Sequence, residues 1–204
     1  MEKIDYKKQL QLLYSGKVGE QVLVDVPPMR FLMIDGHGDP NTSDEYVHAI
    51  EALYPVAYTL KFMSKKTLAK DYAVMPLEGL WWSDNMEDFL TGNKSNWDWT
   101  MMIMQPDFVS EQMVKTAVEE VQKKKNPASL DKLRFDTYDE GRAAQVMYVG
   151  AYADEGPTIV KLHEFIASQG GELEATTKNH HEIYLGDPRR ADPAKLKTII
   201  RQPF

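Results

Sequence analysis

Apolar positions along the chain switch between a period of two and a period of 3.6, and the switches mark out its elements. Gln21–Ile34 reads QVLVDVPPMRFLMI, rich in β-formers and broken by Pro27 and Pro28. The pattern predicts a strand over Met29–Asp35, ending at the turn signal Gly36-His37-Gly38-Asp39-Pro40. Asn41, Thr42 and Ser43 then offer helix N-caps, with Asp44 and Glu45 in the favourable first turn. Tyr46, Ile50, Leu53, Ala57 and Leu60 recur at helical spacing, and Pro55 within that run predicts a kink. Tyr72–Trp82 reads as a strand that Pro76 distorts, and the polar stretch Ser83–Asn96 as a loop or frayed helix. Trp97–Gln105 (WDWTMMIMQ) is an unbroken apolar run, as expected of a strand buried on both faces. Phe108–Lys125 predicts a helix with Met113 or Val114, Ala117, Val118 and Val121 facing inward, ended by Asn126-Pro127.

The pattern then begins again. Ala143–Val149 predicts a strand ending at Gly150, and Asp154-Glu155 open a helix carrying Ile159, Leu162, Phe165 and Ile166, closed by Gly170-Gly171. His180–Leu185 (HHEIYL) and Leu196–Gln202 are the last two strands, separated by the turn Asp187-Pro188-Arg189-Arg190. MMIMQP and TIIRQP close the two units at the same place, ending Gln105-Pro106 and Gln202-Pro203. A repeat of about 100 residues indicates duplication rather than a solenoid. The expected fold is therefore α+β: tandem pseudo-symmetric βαββ modules, with antiparallel sheets flanked by helices and a ligand cleft at their junction. The chain reads as one domain over 1–204, with halves at about 22–126 and 130–204.

Composition narrows the chemistry. With 43% hydrophobic and 27% charged residues the chain can bury a core unaided, and with no cysteine it has no thiol catalysis, disulfide or cysteine-ligated metal. The net charge of −7 argues against nucleic acid as a partner. Its one dense basic run, Lys123–Lys125, fits a helix C-terminus, where cations meet the negative end of the dipole. No stretch has the length of a membrane span or the apolar core of a signal peptide, so a cytoplasmic protein with no membrane partner is expected. GHGDP lacks the phosphate-loop pattern, and no GxSxG or HExxH motif occurs. His180 and His181, being adjacent on a strand, diverge and do not make a metal pair. Neither a metal nor a cofactor is expected.

The stretches LEGLWW (Leu77–Trp82), WDWTMMIMQPDFV (Trp97–Val109), YVGAYADEGPTI (Tyr148–Ile159) and HHEIYLGDPRR (His180–Arg190), with KTIIRQP near the end, resemble stand-alone GyrI-like proteins over nearly the whole chain. The resemblance implies a tandem βαββ fold enclosing one ligand cavity. Relatives fused to helix-turn-helix regulators sense lipophilic, often cationic drugs; others bind toxic compounds directly, and some stand-alone members hydrolyse cyclopropane-bearing DNA alkylators. Only about 20 residues precede the first module here, too few for a helix-turn-helix domain.

Glu182 is the leading site candidate. Strand alternation puts His180, Glu182 and Tyr184 on one face and His181, Ile183 and Leu185 on the other. A carboxylate there can attract a cation or act as general base toward a bound water, and the resemblance implies a ligand-contacting acid at this position. The competing reading is a glutamate on a solvated sheet face. Tyr184 can donate a hydrogen bond to Glu182, the ligand or a leaving atom; Tyr148 can line the cleft or serve only as a core tyrosine. Among the four tryptophans, Trp81, Trp82 and Trp99 are candidates for stacking against planar ligands, with ordinary core packing as the alternative. Trp81 and Trp82 must face opposite ways if their strand is regular. Glu78, the approximate counterpart of Glu182 in the first half, reads either as a second pocket acid or as a strand-end residue. Two functions use these residues: a binder of lipophilic aromatic or cationic molecules, and a hydrolase that adds water to strained electrophilic xenobiotics with Glu182 as base.

Overall fold

The computed structural model describes residues 3–85, 93–173 and 179–204. Eight strands carry the fold: β1 (Gln21–Val26), β2 (Met29–His37), β3 (Leu77–Trp82), β4 (Asp98–Gln105), β5 (Arg134–Tyr138), β6 (Gly141–Val149), β7 (His180–Tyr184) and β8 (Lys197–Pro203). Among the described residues three long helices pack against it, α1 (Asp44–Thr67), α2 (Glu111–Lys124) and α3 (Gly156–Ser168), and two single-turn helices, Tyr6–Gln9 and Gln11–Tyr14, precede β1. None of the described helices is long and apolar enough to cross a membrane. The strands form one sheet in the order β1-β6-β8-β7-β3-β4-β2-β5, antiparallel at every pairing. Each βαββ unit supplies three adjacent strands, and the units join edge to edge where β3 meets β7, with Gly79 opposite Glu182.

Most elements follow their sequence signals. Ser43 caps α1 by position, without a side-chain bond, and the helix runs through Pro55 unbroken. Ser110 caps α2 through its side chain, and Val114, Ala117 and Val121 are its buried stripe. The segment around Pro76 divides into Asp71–Tyr72, which pairs with Lys3–Ile4, and β3. Of the stretch read as loop or frayed helix, 86–92 lies outside the described residues; Lys94–Asn96 forms one 3-10 turn. The strand β5 has no forecast in the sequence, because RFDTY sits at the sheet edge with little apolar burial.

The path of the chain bends the sheet. Only Pro27-Pro28 separate β1 from β2, yet the two strands lie first and seventh in the sheet order. Laid flat, six strand spacings would put them about 29 Å apart, whereas three residue steps reach at most about 11 Å. Asp139-Glu140 impose the same constraint between β5 and β6. The sheet must therefore curl until its edges approach. On its inner face the Tyr138 ring on β5 meets His181 on β7 at 6.2 Å between centroids. The helices lie on the outer face, with α3 covering Ala144, Val146 and Ile200 through Leu162 and Ile166. At the other half α1 and α2 pack over the larger apolar core, which includes Trp99, Met101 and Ile103.

Candidate functional site

The outer face at the β3–β7 seam, between α1 and α3, gathers the chemistry. Period-two alternation aims His180, Glu182 and Tyr184 there, as the sequence predicts. Tyr184 OH donates to Glu182 Oε2 at 2.7 Å, and His180 Nε2 meets Glu182 Oε1 at 3.1 Å. Trp81 Nε1 donates to the Tyr184 oxygen at 3.0 Å, which orients the tyrosine toward the carboxylate. The Glu182 and His180 side chains keep 15% and 13% of their exposure, so the carboxylate is enclosed but reachable. Burial opposes the ionisation of Glu182, but hydrogen bonds and charge from His180 and the Tyr184 hydroxyl outweigh it and hold its pKa below the ordinary carboxylate value. Burial and the Glu182 charge push Tyr184 well above its usual range, so it stays a donor.

Aromatic rings wall this carboxylate. Tyr46 of α1 lies 6.1 Å from the Trp81 ring, Trp97 lies 5.8 Å from Trp81, and Tyr152 lies 5.5 Å from Tyr184. Burial, then the charges of Glu155 and Glu182, raise the Tyr152 hydroxyl to about 12. Glu155, which the sequence marks only as a helix opening, is 3% exposed and interacts with Glu182. Burial and then the Glu182 charge lift its pKa to about 9. Its place in the cleft had no signal beyond the acidic helix start, because a helix N-terminus accommodates acids for ordinary dipole reasons.

Gly79 makes the arrangement possible. A Cβ there would lie 2.5 Å from Met101 Cε, 2.8 Å from Trp81 Nε1 and 3.0 Å from Tyr184 OH. A Gly79→Val substitution is therefore expected to break the Trp81–Tyr184 hydrogen bond and to cost about 1–3 kcal/mol by overpacking. Tryptophan emission together with urea unfolding checks both; unchanged emission and midpoint would show that Trp81 and Tyr184 do not close over this glycine.

The remaining candidates fall elsewhere. Trp99 is fully buried against Tyr46 at 5.4 Å and donates to the Gly38 carbonyl at 3.3 Å, which makes it a wall of the core behind the cleft. Tyr148 is on the outer face but gives its hydroxyl to the Ala151 carbonyl at 3.0 Å. Trp82 points to the inner face, opposite Trp81, where it lines a groove of about 620 Å³ with Leu80, Met33, Asp35 and Arg134. That groove is open to solvent, and most of its charges are paired. Asp35 takes Arg134 Nη1 and Thr100 Oγ1, each at 2.6 Å, and His37 meets Asp98 at 2.8 Å. It offers no enclosed, uncompensated carboxylate, so the outer face at the seam is the stronger candidate site.

Glu78 is also on the inner face and fully buried, so the sheet itself separates it from Glu182. Nor is it the counterpart of Glu182. Aligning Gln105 with Gln202 and following the registers through β4 and β8 pairs Glu182 with Leu77 and Tyr184 with Gly79. The carboxylate is thus present on one side of the pseudo-dyad only. Glu78 belongs to a closed network: His181 bridges Glu78 Oε2 at 3.0 Å and Glu140 Oε1 at 2.8 Å, while Tyr14 OH donates to Glu78 Oε1 at 2.7 Å. Arg201 donates to Glu140 at 3.0 Å, Gln145 at 3.0 Å and the Leu13 carbonyl at 2.6 Å. The corresponding residues of the first half are Met104 for Arg201 and Phe31 for Gln145, so the network is a property of the second half alone.

Bonded to a carboxylate through each nitrogen, His181 is an imidazolium. Burial works against that charge, but Glu140 and Glu78 overcome it and raise the pKa to about 9. A pKa raised on folding contributes stability fully below the unfolded value near 6.5 and loses it as pH rises toward about 9. Glu155, also raised, acts with the same sign. Stability in urea should therefore fall between pH 6.5 and 9, His181 alone contributing on the order of 3 kcal/mol and Glu155 adding to it. A flat profile across that window would mean that His181 is neutral and Glu155 ionised.

Three comparisons bear on what the cleft serves. The profile of the GyrI-like small molecule binding domain matches residues 20–203. Among solved structures, an uncharacterized conserved protein from Listeria innocua is 39% identical, with a TM-score of 0.86 and 98% of each chain covered. A protein described as a hydrolase from the same organism is 38% identical over 99% of each chain, with a TM-score of 0.86. The EcmrR C-terminal domain shares the fold at 14% identity, with a TM-score of 0.56 over 90% of this chain and 96% of that one. A comparison with curated proteins gave no match.

Proposed function

Since the chain belongs to the GyrI-like family of small-molecule-binding domains, we propose that its ligands are lipophilic aromatic molecules, cations above all, taken up at the β3–β7 seam. The observation that carries this reading is the state of Glu182: an ionised carboxylate, nearly enclosed, with aromatic rings around it and, among the described residues, no lysine or arginine in ion-pair contact. Such a charge attracts a cation strongly because little water competes, and the rings add dispersion and cation–π attraction. Tyr184 and Trp81 fix the carboxylate in place, so a ligand meets a preorganised site. Calorimetric titration with tetraphenylphosphonium and with a neutral aromatic of similar size tests the proposal. The cation should bind at least tenfold more tightly; equal affinities would remove charge recognition from the function.

A second reading is favoured by one observation, the description of the 38%-identical Listeria innocua protein as a hydrolase. In this chain Glu182 would accept a proton from a water attacking an electrophilic carbon of a strained ring, such as a cyclopropane. The ring bond breaks toward an electron-accepting group on the ligand, which then takes up a proton. Mass spectra of a cyclopropane-bearing electrophile incubated with the protein separate the readings. Multiple turnovers to a water-added product favour hydrolysis, and consumption that stops at protein stoichiometry favours binding.

A further inference from the structure

Glu155 is an acid that neither reading of the cleft uses. It stands at the start of α3 and enters the cleft from the helix side, opposite the strand that carries Glu182. The groups facing it are Glu182 on β7, Thr198 on β8, Lys94 from the turn before β4, and Tyr148, Tyr152 and Tyr184, with His180 on the far side of Glu182. Glu155 Oε1 and Thr198 Oγ1 are both buried outside ordinary hydrogen-bond geometry, although each interacts with the other. Two carboxyl groups in contact within an apolar site do not both ionise; they share a proton. A buried polar oxygen left short of a partner next to a carboxylate is a place for a polar atom of a ligand.

We propose that Glu155 is a second ligand-contacting acid, sharing one proton with Glu182, so that the cleft presents one negative charge and one carboxylic O–H donor at neutral pH. The inference rests on the cleft being the binding site. It deepens that reading by naming two ligand classes. A planar monocation carrying a hydrogen-bond acceptor uses the charge of Glu182 and the O–H of Glu155 together. A planar dication instead expels the shared proton and meets two carboxylates. Stoichiometry is explicit in the second case: one O–H bond of Glu155 breaks and one proton passes to the buffer.

Two measurements decide the matter. Infrared spectra of the ligand-free protein at neutral pH should show a protonated-carboxyl stretch that disappears in Glu155→Gln; its absence from the wild type, or its survival in the variant, overturns the shared proton. Calorimetry with N-methylacridinium (a monocation) and benzyl viologen (a dication), in two buffers of different ionisation enthalpy, counts protons. The dication should release close to one proton and the monocation close to none. In Glu155→Gln the release should vanish, and the dication-to-monocation affinity ratio should fall at least tenfold. Release that persists in the variant overturns the assignment to Glu155. Failure of both cations to bind the wild type overturns ligand contact by Glu155 along with charge recognition by Glu182, and the infrared result still decides where the proton resides.

Discussion

Glu182→Gln is expected to weaken tetraphenylphosphonium binding by roughly thirtyfold to several hundredfold while leaving the fold intact. Removing one partner of a desolvated charge contact costs about 2–5 kcal/mol, and the lower part of that range applies because the Glu182 side chain keeps 15% of its exposure. The amide is nearly isosteric. Its oxygen can still accept from Tyr184 and the Glu155 O–H, and its nitrogen can still meet His180. Melting temperature should therefore hold as affinity falls, which separates a binding role from a structural one. The same geometry predicts the acid limit. Because the Glu182 pKa is held below its ordinary value, cation affinity in the wild type should persist below about pH 4.5 before protonation removes it. An unchanged dissociation constant in Glu182→Gln, measured by calorimetry, would exclude the carboxylate from the site.

The second large effect concerns stability. Arg201→Met should cost about 3–5 kcal/mol and lower the melting temperature by roughly 10 °C, because it leaves a buried charge uncompensated. Glu140 would keep only His181, and one imidazolium would then face two carboxylates, Glu78 and Glu140, all without solvent. The loss also frees the Gln145 oxygen and the Leu13 carbonyl, and with it one tie to the N-terminal segment that Tyr14 anchors on Glu78. Adding Glu140→Leu to Arg201→Met tests the cause. A buried pair replaced by apolar residues is often close to neutral, and the first half already has Met104 at the place of Arg201. The double variant should recover much of the loss in urea unfolding. A double variant less stable than the single one would show that packing, rather than uncompensated charge, sets the cost.

Glu78 and Glu182 show how far a one-dimensional pattern reaches. Each lies among β-formers, and each reads equally well as a pocket acid. Alternation correctly separates Glu182 from His181 and Trp81 from Trp82, since neighbouring strand residues must diverge whatever the sheet does. It does not say which face of β3 corresponds to which face of β7. Relating them requires the register of four strands, and this places Leu77, not Glu78, at the counterpart of Glu182. Glu155 carries no such signal for a different reason. An acid at a helix start is ordinary, and its burial depends on where α3 docks.

Local chemistry in the chain determined the strands and helices, their duplication, and the grouping of His180, Glu182 and Tyr184 on one face, because periodicity, caps and prolines act over a few residues. The likeness of its motifs to GyrI-like proteins carried the family as well. Tertiary structure alone decided the rest. Two-residue connections force the sheet to curl, and the curl brings Glu140 and Tyr138 against His181, strands apart in the sheet order. Docking of α3 sets a second carboxyl beside Glu182. Both outcomes depend on contacts between residues far apart in the chain, where burial and charge are fixed by what comes to lie opposite.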